Sequence, residues 1–234
     1  MIGESIIIIG LIIIFISILG YTLPFKTFFD LLYKNSIWHK HSKNIYLTFD
    51  DGPNKKITNF ILNKLRKNNH KATFFIIPEF IKDREDSEII KKIFQENHTI
   101  GLHTKSRWFC FKNPKKIRDY INSFEKQISL IIEINFKLKY FRPASGWRSQ
   151  RLYNALKNSN LILVGWSPFC WPDRYTNDML TKFKKCIKQG NIIVLHDGRA
   201  EKYRANRIKL KQVFPKLMKE LKNRNIKSKS LDNN

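Results

Sequence analysis

Short apolar runs bounded by polar or turn-forming residues recur along this chain and alternate with longer stretches of helical spacing. The runs at 45–49, 72–77, 99–102, 140–141, 161–166, 192–196 and, more weakly, 226–231 are rich in β-branched and aromatic residues, which predicts strands. Between them, residues 57–68, 87–97, 114–134, 149–158, 177–189 and 208–223 repeat apolar positions three or four apart, which predicts amphipathic helices. Strict alternation of strand and helix implies an α/β fold with parallel strands under a helical cover, as a closed barrel or an open sheet.

The amino end follows a different pattern. Residues 5–25 carry no charge and are dominated by Ile, Leu, Phe and Gly. At 1.5 Å per residue a helix of that length crosses a hydrocarbon core about 30 Å thick. A cleaved signal peptide would have Lys or Arg ahead of the apolar run and small residues at a cleavage site, and neither is present. The expected organisation is therefore a tail at 1–4, one N-terminal transmembrane helix at 5–25, a basic and aromatic connector at 26–43 and a folded domain at 44–231. Lys26, Lys34, Lys40 and Lys43 follow the helix and favour a cytoplasmic carboxyl side. Large domains nonetheless cross membranes regardless of charge. The expectation is a single-pass membrane protein with its domain outside the cytoplasm, the orientation remaining open.

Composition adds a partner class. Forty-four Lys and Arg against nineteen Asp and Glu give a formal charge of +25, which attracts anionic headgroups, acidic glycans or nucleic acid. The charge is scattered and no nucleic-acid reader module is present, so nucleic acid is not an expected partner. Cys110, Cys170 and Cys186 cannot all pair with one another and show no Cys-x-x-Cys spacing, so no disulfide framework is expected.

Chemistry concentrates at strand ends. Asp50-Asp51-Gly52-Pro53 closes the run at 45–49. Side chains alternate across a strand, so one of two adjacent carboxylates would ordinarily face the core, where an unpaired charge is costly. At a strand end the pair can divide labour, one carboxylate binding a cation and the other moving protons; the alternative is a plain Asp-Asp-Gly turn. His103, Arg142 and His196-Asp197 also follow predicted strands. In a parallel barrel that end collects functional residues.

The words TFDDGP at 48–53, KATFF at 71–75, TIGLHTKSR at 99–107, FRPASG at 141–146 and IVLHDG at 193–198 occur in order along residues 43–231. Over that span the chain resembles the polysaccharide deacetylase family, metal-dependent carbohydrate esterases related to chitooligosaccharide and peptidoglycan deacetylases. The resemblance implies a distorted (β/α)7 barrel that removes acetyl or similar acyl groups from amino sugars. It makes Asp50 the general base, supported by Arg142, and His196 the general acid, oriented by Asp173. The backbone N–H of Ser145, where the family usually has Tyr, would hold the oxyanion. A divalent metal, zinc first, would bind Asp51 and two histidines of a His-Thr-x-x-His word, here His103 and position 107. The implied substrate is an N-acylated envelope glycan or a lipid-linked saccharide. Trp147, Trp166 and Trp171 are candidates either for stacking on sugar rings or for core packing.

Position 107 breaks the pattern. Arg107 stands where an imidazole is required, and a guanidinium offers no lone pair. Three outcomes follow. The metal is held by altered ligands such as Cys110 or water, Arg107 pairs with Asp51 in its place, or the barrel binds glycans without turnover. The leading expectation is a membrane-anchored hydrolase of non-peptide carbon–nitrogen bonds. The alternatives are an inactive glycan-binding barrel and a basic membrane-surface or nucleic-acid-binding protein.

Overall fold

The structure is a computed structural model that describes residues 7–12, 33, 35–157, 159–173 and 178–232. Seven parallel strands form one curled sheet: β1 (Ser36–Ile37), β2 (Tyr46–Gly52), β3 (Ala72–Ile76), β4 (Thr99–His103), β5 (Tyr140–Arg142), β6 (Ile162–Val164) and β7 (Ile192–His196). Their order is β1-β6-β5-β4-β3-β2-β7. Six helices follow strands in the chain: α1 (Lys55–Lys67), α2 (Arg84–Gln95), α3 (Pro114–Ile132), α4 (Gln150–Leu156), α5 (Met179–Cys186) and α6 (Ile208–Asn223). This is a curled half-barrel consistent with a distorted (β/α)7 barrel.

The strands β2, β3 and β4 are buried along their whole length, as expected when helices cover one face and the barrel interior fills the other. Alternation sorts their residues. Leu47 and Phe49 join the outer core with Ile61 and Leu65 of α1, whereas Tyr46, Phe75 and Val194 fill the interior. Thr48 and Asp50 share the parity of Tyr46, which places them inside as well. The gap between β1 and β7 is laced by irregular backbone: Ser167 N–H donates to Ile192 O at 3.0 Å, and Val194 N–H to Cys170 O at 2.9 Å.

Two expectations for the strands change. Residues 226–231 form no strand; Ser228 makes one isolated bridge with Ile45, and Leu231 plugs the barrel interior. The strand next to β6 comes instead from the expected connector, where Ser36 pairs with Leu163 and Ile37 with Val164. Trp38 follows it and is buried against Gly165, where any Cβ would stand 2.0 Å from the indole. A strand of two residues has no periodicity to read.

Of the expected span at 5–25 only residues 7–12 are described, and they are helical; the rest of it, the tail at 1–4 and most of 26–34 lie outside the described residues. Among the described residues no helix is long and apolar enough to cross a membrane.

Candidate active site

Arg142 ends β5 inside the barrel and is wholly buried. Its Nη1 donates to Asp50 Oδ1 and to Thr48 Oγ1, each at 2.7 Å, its Nη2 to Gly165 O at 2.8 Å and its Nε to Val164 O at 3.2 Å. The guanidinium also lies 4.1 Å over the Phe75 ring. Burial lowers the Arg142 pKa, and Asp50 opposes that fall. Four hydrogen bonds and an aromatic ring hold the cation, so Asp50 is fixed in place with its charge compensated.

Asp51 escapes the alternation rule by backbone geometry. The β2–β3 register shifts between Asp50 and Gly52, and Asp51 has φ 72°, in the left-handed region. Both carboxylates consequently reach the same cavity. Close approach requires glycine on either side. A Cβ at Gly52 would lie 2.7 Å from Asp197 Oδ2, and one at Gly198 would lie 1.9 Å from the Asp51 carbonyl oxygen. Asp197 is fully buried and accepts the Thr58 hydroxyl, and burial pushes its pKa up to about 7.

His103 Nδ1 lies 2.8 Å from Arg142 O, which can only accept, so Nδ1 carries a proton. Nε2 faces Asp51 Oδ1 at 3.4 Å. Burial pushes the Asp51 carboxyl up, but His103 first, then His196 and Arg207, bring it below its ordinary value.

His196 ends β7 directly opposite Asp50 in the ladder. Its Nδ1 lies 3.0 Å from Asp173 Oδ1, and its backbone N–H donates to Asp173 Oδ2 at 2.9 Å. Arg207 closes the arrangement, with Nη2 2.5 Å from Asp173 Oδ2 and Nε donating to His196 O at 2.9 Å. Burial disfavours the imidazolium, yet Asp173, with Asp51 and Asp50 behind it, raises the His196 pKa to about 9. The Asp173 side chain is fully enclosed whereas that of His196 is 29% exposed, so the nitrogen left for the cavity is Nε2.

Asp50, Asp51, His103, Arg107, Ser145, Asp173 and His196 line one cavity of about 390 Å³. Ser145 sits there on a tight turn with φ 56° and ψ 13°. Trp166 and Trp171 line it too. Trp147 does not, and groups instead with Trp108 and Phe111.

Comparison with known proteins fits this geometry. The polysaccharide deacetylase family model matches residues 39–164, more than half of the chain. The chain belongs to the polysaccharide deacetylase family. A peptidoglycan-N-acetylglucosamine deacetylase of Bacillus cereus is 27% identical over 189 residues, covering 77% of this chain and 84% of that protein. A chitooligosaccharide deacetylase of Azorhizobium caulinodans is 30% identical, covering 68% and 76% respectively. Among solved structures, the Bc1960 peptidoglycan N-acetylglucosamine deacetylase superimposes with a TM-score of 0.69 at 25% identity, covering 88% of this chain and 95% of that one.

This member of the family departs from the ligand set that the resemblance implies. Among the described residues Arg107 makes no ion pair with Asp51; its guanidinium lies 5.2 Å over the Trp147 ring. Cys110 is no substitute ligand, because its thiol is buried, bonds to Arg107 O at 3.0 Å and has its pKa pushed up to about 12 by burial. Among the described residues no group of three His, Cys, Asp or Glu side chains is placed to hold a metal ion. Hydrolytic zinc sites draw three ligands from the protein, and among the described residues this site offers Asp51 and His103. The residues present do not fit that metal site.

Among the side chains that hydrogen-bond the two catalytic pairs, Arg207 and Thr48 are absent from the sequence expectations. Thr48 lies inside TFDDGP, and its parity with Asp50 points to it. Arg207 stands in a polar loop with no local signal.

Proposed function

We propose that this chain hydrolyses N-acyl groups, acetyl first, from amino sugars of an envelope glycan of the peptidoglycan or chitooligosaccharide type. The observation that carries this is that Asp50, paired with Arg142, and His196, paired with Asp173, face one cavity from the adjacent strands β2 and β7. Asp50 takes the proton of a water that attacks the amide carbon, while Arg142 holds its carboxylate in position. The Ser145 N–H donates to the oxygen that becomes negative. His196, charged at neutral pH through Asp173, donates a proton to the departing sugar nitrogen, and the carbon–nitrogen bond breaks. No step runs through a metal ion, for which the described residues of the site supply Asp51 and His103.

Relatives that act on such glycans support the substrate class. The uncharged run at 5–25 supports an anchor, and the +25 charge favours anionic envelope material, a lipid-linked saccharide included. On this reading the domain is held by the anchor on the outer side of a membrane, which fractionation of the protein tests.

A second reading is favoured by Arg107: a barrel that binds glycans without turnover. Mass spectrometry of peptidoglycan fragments and chitooligosaccharides incubated with the full chain, with and without divalent ions, separates the two. Deacetylated products establish the hydrolase; intact ligands that nonetheless bind the protein establish the second reading.

A further inference from the structure

We infer that Trp108 is the floor of a second sugar subsite, which takes the pyranose ring next to the one being processed; this rests on the glycan reading of the catalytic cavity. Trp38 and Trp166 are buried, whereas Trp108 is 66% exposed. Trp108 is also not a lone exposed residue: with Phe111, itself exposed, and Trp147 it forms one aromatic patch, and contiguous apolar patches mark interaction sites.

Its surroundings are built. A short turn, Arg107–Phe111, carries Trp108 off the end of β4. Trp147, from beyond the end of β5, supports it edge to face at 5.3 Å, and Phe111 stands 6.1 Å away. The Arg107 guanidinium lies on the Trp147 ring, tying this shelf to the catalytic cavity, which Arg107 also lines.

Trp108 lines a separate cavity of about 360 Å³ with Lys105, Lys112, Glu79 and Tyr120, and Ala200 and Glu201 are walls of both cavities. An aromatic floor rimmed by donors and acceptors matches a pyranose, whose C–H face is apolar and whose hydroxyls point outward. The shared wall identifies the occupant as a continuation of the same glycan chain. Arg107, the residue that removes a metal ligand, touches this subsite through Trp147, on whose ring it lies and which backs Trp108.

The test is calorimetric titration of the full chain with N-acetylglucosamine, its β-linked tetrasaccharide and a peptidoglycan tetrasaccharide, using wild type, Trp108→Ala and Trp108→Phe. The wild type should bind the tetrasaccharides more tightly than the monosaccharide. Trp108→Ala should weaken tetrasaccharide binding about tenfold and leave the monosaccharide unchanged, while Trp108→Phe retains most of the gain. A loss for one tetrasaccharide alone identifies which glycan supplies the ring. Wild-type affinity that does not grow with length, or Trp108→Ala binding both tetrasaccharides as tightly as wild type, overturns the subsite. All three proteins are titrated in an Asp50→Asn background, which removes the heat of deacetylation from the isotherms; turnover is scored separately on the unmodified chain, so its absence would sink the hydrolase reading and leave this inference standing.

Discussion

The Arg107 guanidinium lies 5.2 Å above the Trp147 ring and, among the described residues, forms no ion pair with Asp51. Such a cation–π contact at an exposed position contributes about 0.5–1 kcal/mol. The substitution at 107 has therefore neither sealed the site nor become part of its core. Arg107→His should fold with nearly wild-type stability and place an imidazole on the cavity that Asp51 and His103 line. Zinc measured after dialysis should rise from a small fraction per chain towards one, and deacetylation should increase about tenfold or more. An Arg107→His protein that gains no zinc contradicts the two-ligand description.

Arg142 should dominate local stability. Arg142→Ala leaves the buried Asp50 carboxylate without its cation, at a cost of about 3–5 kcal/mol in chemical denaturation. Arg142→Lys should recover little, because one ammonium cannot serve Asp50, Thr48 and two backbone carbonyls together.

The His196–Asp173 pair sets a pH dependence. His196 titrates near 9 when folded, above its ordinary value of 6.5, so the native state holds the proton more tightly than the unfolded chain. Its contribution to stability is complete below about 6.5 and is lost as pH rises through about 9. Turnover should fall on the alkaline side near the same value, where the general acid loses its proton. Asp173→Asn should move that limb to lower pH and flatten the stability slope between pH 6.5 and 9, as followed by rate profiles and by urea midpoints at several pH values.

Arg207 positions this pair by bridging Asp173 and the His196 carbonyl. Arg207→Lys cannot keep both contacts, so kcat should drop about tenfold to a hundredfold while KM stays near its wild-type value. A change confined to KM would assign Arg207 to substrate binding instead.

What the sequence shows of this site depends on how local each signal is. The runs at 45–49 and 192–196 are long and apolar enough to mark β2 and β7, and the residues that end them are Asp50 and His196. The strand β1 is not visible, since two residues in a basic stretch carry no period. Residues 226–231 read weakly as a strand from sequence, yet they form none: Ser228, Ser230 and Leu231 are buried because this segment closes the barrel, with Leu231 in its interior. Asp51 defies the alternation rule through a register shift and a left-handed backbone, neither of which residue identity alone reveals. Arg207 meets Asp173 across 34 positions of chain, so only tertiary structure joins them.

The central claim is that Asp50 is the base of a working N-deacylase. Release of acetate from an N-acetylated chitooligosaccharide or peptidoglycan fragment, compared between wild type and Asp50→Asn, tests it most directly. The account predicts steady release by the wild type and loss of about a hundredfold or more in Asp50→Asn, whose amide cannot accept the proton. No release by the wild type, or equal release by both proteins, would contradict it.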